Sequence, residues 1–136
     1  MQVDNLIVIV TFVALLVYFW TSLRVGAART KYGVAAPAIS GAPEFERAWR
    51  VQMNTLEWLP LFLPSLWLFA YYWDPKIAAA LGVLWIVGRL GYAIAYAKDP
   101  AKRGLWFGLQ ALSTAVLLFG ALGKAAYQLA TGSVAV

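Results

Sequence analysis

LIVIVTFVALLVYFWTSL, Leu6 to Leu23, is an apolar run without a single charge. As a helix rising about 1.5 Å per residue it reaches across the hydrocarbon of a bilayer. Only Asp4 carries charge ahead of it. A cleaved signal opens on positive charge and has a shorter apolar core, so the run is read as a retained span. The other regions point the same way. Of 136 residues, 62% are hydrophobic and 12% charged, with a mean hydropathy of +0.71. A soluble domain carries about 25% charged residues, and a chain this small could not hide so much apolar surface. Disorder is excluded, because disordered chains are poor in aromatics and rich in charge. The expected fold is an all-α integral membrane four-helix bundle with no room for a separate soluble catalytic domain.

The remaining helices follow from their breaks. From Arg24 to Pro43 the chain turns polar, with Arg29, Lys31, Gly33, Pro37, Ser40 and Gly41. This predicts a loop after a helical extension of the first span that carries Arg24 and Arg29 into the interface. Pro43 suits the first position of a second helix, with Glu44 and Glu46 in its opening turn. That helix is predicted from about Glu44 to Trp73, bent at Pro60 and Pro64. Asp74 caps a third helix that opens on Pro75 and runs to about Ala97. After a charged turn from Lys98 to Arg103, a fourth helix reaches about Leu129, followed by a frayed tail. The first and third loops with their flanks hold Arg24, Arg29, Lys31, Arg47, Arg50, Lys98, Lys102 and Arg103, against Lys76 and Lys124 opposite. The positive-inside rule then places those two loops in the cytoplasm. The same rule accounts for much of the net charge of +5, so nucleic acid is not the expected partner.

With no Cys and no His, the chain has no thiol nucleophile, no disulfide and no expected metal site. Any reactive thiol must come from a substrate. Ionisable groups inside spans are costly and are candidates for function. Arg50, Asn54 and Glu57 share one face of the second helix by spacings of four and three. Arg89, Tyr92 and Tyr96 share one face of the third. Counted from the cytoplasmic ends, Glu57 and Arg89 each lie about 15–20 Å in, and the two are expected to pair. Such a pair could equally serve only to hold helices together. Tyr92 and Tyr96 also suit an aromatic belt, Arg103 a snorkelling helix end, and Asn54 an interhelical hydrogen bond. None of these bland readings accounts for convergence at one cytoplasmic level of Arg29, Arg50 and Arg103 with Gln52, Asn54, Tyr92 and Tyr96. That inventory suits a small peptide with two carboxylates, an amine and a thiol.

Pro43-Glu44-Phe45-Glu46-Arg47-Ala48-Trp49-Arg50-Val51-Gln52-Met53-Asn54, followed by Glu57 and Pro60-Leu61-Phe62-Leu63, resembles the signature of the MAPEG family. These are membrane-associated proteins in eicosanoid and glutathione metabolism. Arg89-Leu90-Gly91-Tyr92, Tyr96-Ala97 and Arg103 are similar to its second conserved block. The resemblance is greatest to the subgroup of type 2 microsomal glutathione transferase and cysteinyl-leukotriene synthase. It implies a single domain over residues 1–136, a homotrimer, and glutathione bound between subunits on the cytoplasmic side of a bacterial inner membrane or endoplasmic reticulum. It implies that Arg29, Arg50, Gln52, Asn54, Glu57, Arg89, Tyr92 and Tyr96 form the glutathione site and that Arg103 faces the sulfur as the catalytic residue. The implied activity is conjugation of glutathione to lipophilic electrophiles, with glutathione-dependent peroxidase activity as a second reaction. Trp58, Leu61, Leu105, Trp106, Leu109 and Leu112 are candidates for the apolar substrate surface. Thr30 and Trp58 depart from the leukotriene synthase pattern, which has Arg and Tyr there, and argue for a broader transferase. The alternative is a non-catalytic lipid-binding protein of the lipoxygenase-activating branch. A small multidrug exporter is disfavoured, because the first span lacks the acidic residue those proteins need.

Overall fold

A computed structural model describes residues 3–133. Four long helices follow one another: α1 (Asn5–Tyr32), α2 (Pro43–Tyr72), α3 (Pro75–Lys98) and α4 (Gly104–Thr131), with a 3₁₀ turn (Pro100–Arg103) ahead of α4. Local chemistry explains the boundaries. The Asp4 carboxylate accepts from the Leu6 N–H at 2.8 Å and starts α1. Gly33, at φ 68°, ends it in the left-handed conformation that a glycine takes at no steric cost. The expected extension of the first span is present, so the loop begins at Gly33 rather than Arg24. Pro43 occupies the first turn of α2, and Glu44 and Glu46 lie where a helix N-terminus favours negative charge. The Asp74 carboxylate accepts from the N–H groups of Lys76 and Ile77, at 2.7 and 3.1 Å, and caps α3. The helix α2 runs unbroken through Pro60 and Pro64. The tail expected to fray after Leu129 is helical to Thr131 and capped by Gly132, and residues 134–136 lie outside the described residues.

The core is built from one face of each helix. On α1 the buried residues are Ile7, Val10, Ala14, Val17, Thr21, Val25 and Ala28, at spacings of three and four. Phe62 of α2 stacks on Trp85 of α3, with centroids 4.1 Å apart and planes within 3°, and both rings are fully buried. The outward residues of α1 are as apolar as the inward ones: Leu6, Ile9, Phe12, Leu16, Phe19 and Leu23 are all exposed. A helix apolar all round belongs in lipid. Three helical stretches, Asn5–Tyr32, Pro75–Lys98 and Pro100–Thr131, are long and apolar enough to cross a membrane. The more charged α2 is the fourth member of the bundle, packing against the other three.

One close approach sets the position of the functional end. Gly88 of α3 lies so near α4 that an added Cβ would stand 2.9 Å from the Gln110 backbone nitrogen and 3.0 Å from the Trp106 carbonyl oxygen. Three residues on, Gly91 leaves the space that the Trp106 ring fills. Small residues let spans pack by backbone contact where lipid supplies no hydrophobic drive. This contact holds Tyr92, on α3, beside Phe107, on α4, with centroids 6.0 Å apart.

Candidate functional site

At the end of the bundle where α1 meets α2 and α3 meets α4, two recesses share a wall. The smaller, of about 280 Å³, is lined by Arg50, Met53, Asn54, Glu57, Tyr92, Tyr96 and Arg103. The larger, of about 520 Å³, is lined by Asn54, Tyr92, Ala101, Arg103, Gly104 and Phe107. Helical spacing explains the first set. Arg50, Asn54 and Glu57 fall on one side of α2, Tyr92 and Tyr96 on one side of α3, and the 3₁₀ turn brings Arg103 across their ends. Two guanidinium groups face one carboxylate, so the smaller recess favours an anion.

Aromatic rings form a continuous series through both recesses. Tyr96 lies 5.5 Å from Tyr92, Tyr92 lies 6.0 Å from Phe107, and Trp58 meets Phe107 edge-on at 5.5 Å. The exposed Arg103 donates through Nη1 to the Pro100 carbonyl at 2.6 Å, and its guanidinium carbon stands 5.9 Å from the Tyr96 ring centre. Holding Arg103 by one nitrogen leaves its remaining N–H groups available to a ligand. Gly104, on the same wall, begins α4, whose N-terminal dipole end adds partial positive charge.

The expected Glu57–Arg89 ion pair does not form. Arg89 is 1% exposed and turns its fork to neutral oxygens instead: Nη1 donates to Asn54 Oδ1 at 2.8 Å and Nη2 to Thr55 Oγ1 at 2.6 Å. Glu57 is exposed and lines the smaller recess instead. The direction around α2 puts Asn54 and Thr55, not Glu57, within reach of the Arg89 guanidinium. Thr55 was not anticipated as a partner. Its hydroxyl donates to the Val51 carbonyl at 2.7 Å, which orients its lone pairs toward Arg89.

Arg29 and Gln52 stand apart from the shared recesses. Arg29 Nη1 donates to the Ala38 carbonyl at 2.7 Å, and its guanidinium lies 4.8 Å from the Phe45 ring centre and 5.9 Å from that of Trp49. It thereby fastens the α1–α2 loop. Gln52 is half-buried, two residues from Arg50 and from Asn54, and so on the other side of α2. Among the described residues no three His, Cys, Asp or Glu side chains gather as a metal site. Met53 and Phe107 line the recesses without having been singled out from the sequence.

Comparison with known proteins agrees with this architecture. The model of the MAPEG family matches residues 7–123. The chain belongs to the MAPEG family. It is 49% identical over 121 residues to the uncharacterized protein sll1147 of Synechocystis sp., covering 89% of this chain and 88% of that one. It is 43% identical over 105 residues to human microsomal glutathione S-transferase 2, covering 76% and 71%. Against leukotriene C4 synthase of Cavia porcellus the identity is 37% over 130 residues, covering 89% and 86%. The apolar helices and the family together make this an integral membrane protein.

Proposed function

We propose that the protein is a membrane-bound glutathione transferase that activates the glutathione thiol as thiolate and conjugates it to lipophilic electrophiles. The observation that carries this reading is the cationic recess where Arg50, Asn54, Tyr92, Tyr96 and Arg103 converge around Glu57. Glutathione offers two carboxylates for guanidinium groups, an ammonium for Glu57, and peptide groups for Asn54 and the tyrosine hydroxyls. Arg29 and Gln52 complete the binding set from a neighbouring subunit of a homotrimer. Their position away from the recess of their own subunit supports a site between subunits. The recess faces the cytoplasm, on the side where the basic loops accumulate.

Arg103 supplies the catalytic charge. A free thiol titrates near about 8.5, and an adjacent cation lowers that value and raises the thiolate fraction at neutral pH. An arginine stays protonated while doing so. The thiol proton leaves to solvent, the sulfur forms a bond to the electrophilic carbon, and the leaving group departs with its bonding pair. With a lipid hydroperoxide the thiolate sulfur bonds to the terminal oxygen as the O–O bond breaks. The alkoxide takes a proton from water and leaves as the alcohol, and glutathione is left as its sulfenic acid. A second glutathione then closes the cycle as disulfide and water. The larger recess, lined by Ala101, Gly104 and Phe107 beyond the shared wall, suits the apolar co-substrate.

The test is turnover of purified trimer with a panel of electrophiles and a lipid hydroperoxide, wild type against Arg103→Ala. Loss of most turnover with glutathione binding retained is expected. Full activity in the variant removes Arg103 from the chemistry. A wild type that neither conjugates nor is stabilised by millimolar glutathione overturns the whole reading.

A further inference from the structure

Arg89 is a cation 1% exposed inside a transmembrane bundle, and its two hydrogen-bonding partners are the neutral oxygens of Asn54 and Thr55. Such a charge is costly to bury, and replacing it by a well-packed apolar residue is often neutral or stabilising. Arg89 does not line either recess; it stands behind Asn54, which lines both. Arginine has only donors, so the Asn54 group turned toward it must be the oxygen Oδ1. The amide nitrogen Nδ2, with its two donors, is therefore directed away from Arg89. The second prong, on Thr55, and the Tyr92 ring at 4.5 Å from the guanidinium carbon hold the fork in place.

We infer that Arg89 is a positioning residue. By locking the Asn54 amide, it makes the shared wall of the two recesses present hydrogen-bond donors, selecting a co-substrate that brings an acceptor or an anion to that point. A free asparagine could show either end of its amide to the ligand, and half of that freedom opposes binding. The inference rests on the glutathione reading above, and its failure is distinguishable from the failure of that reading.

The experiment is a double-mutant cycle on the purified trimer, with glutathione affinity measured by calorimetry for wild type, Arg89→Met, Asn54→Ala and the pair. Arg89→Met is expected to weaken glutathione binding about tenfold, the scale of one charge-assisted hydrogen bond. In the Asn54→Ala background the same change is expected to have no further effect on affinity. Equal losses in both backgrounds, or no loss in either, overturn the inference, whereas absence of binding by wild type overturns the glutathione reading instead. Asn54→Asp supplies a variant that keeps the helices together. A carboxylate pairs with Arg89 more strongly than the amide does, yet presents no donors to the ligand. Retained thermal stability with glutathione binding lost is the expected result, and retained binding counts against the donor argument.

Discussion

Gly88→Ala tests the close contact on which the functional end depends. The added methyl stands 2.9 Å from the Gln110 nitrogen and 3.0 Å from the Trp106 oxygen, both backbone atoms that no rotamer change can withdraw. Ordinary contact begins at 3.4 Å, so α3 and α4 have to part by about half an ångström. Overpacking of this kind costs about 1–3 kcal/mol, and the better helix propensity of alanine returns about 1 kcal/mol. The balance is a destabilisation of up to about 2 kcal/mol. Gly123→Ala, where nothing lies within 4 Å of the new methyl, receives the propensity gain without the clash. In a thermal-shift assay in detergent, Gly88→Ala is expected to melt several degrees below wild type and Gly123→Ala at or above it. Because Tyr92 and Phe107 face each other across the same contact, Gly88→Ala should also lower conjugation activity. If Gly88→Ala melts with Gly123→Ala, the close α3–α4 approach does not govern stability and the reasoning fails.

Three further outcomes are expected. Arg103→Ala should lower turnover on the order of a hundredfold, as loss of one preorganised donor to a developing anion does, with little change in the calorimetric affinity for glutathione. Glutathione at about a hundred times its Kd should stabilise the protein by about 2.7 kcal/mol by mass action, read as an upward shift in melting temperature. Phe62→Ala should cost about 2 kcal/mol, because in a membrane the cavity left beside Trp85 dominates and the water-transfer contribution is small. Chemical denaturation in mixed micelles measures it, and an unchanged midpoint would remove the Phe62–Trp85 stack from the core energetics.

The helices were legible because their ends are written in a few residues. Asp74-Pro75 and Pro43 start helices where the local rules say they should, and the charge-free run to Leu23 could hardly be anything but a span. The convergence of Arg50, Asn54, Glu57, Tyr92, Tyr96 and Arg103 was legible too, since spacing of three and four fixes a face. Partner choice within that face was not. Rise per residue gives depth, and depth alone matched Arg89 to Glu57; the rotation of α2 about its axis matched it to Asn54 and Thr55. Arg29 shows the same limit. The fold of the Gly33–Ala42 loop supplies carbonyls near at hand, and the guanidinium takes them.

Asn54, Tyr92 and Arg103 belong to both recesses at once. Under the proposed transferase function, drift at any of the three alters the handling of both co-substrates together, which makes them poor places for a lineage to change its chemistry by small steps. Independent adjustment is confined to residues on one side of the partition. Arg50, Met53, Glu57 and Tyr96 tune the anionic side, while Ala101, Gly104 and Phe107 tune the other. Divergence in substrate range among such proteins should therefore accumulate at the beginning of α4, leaving the partition itself alone.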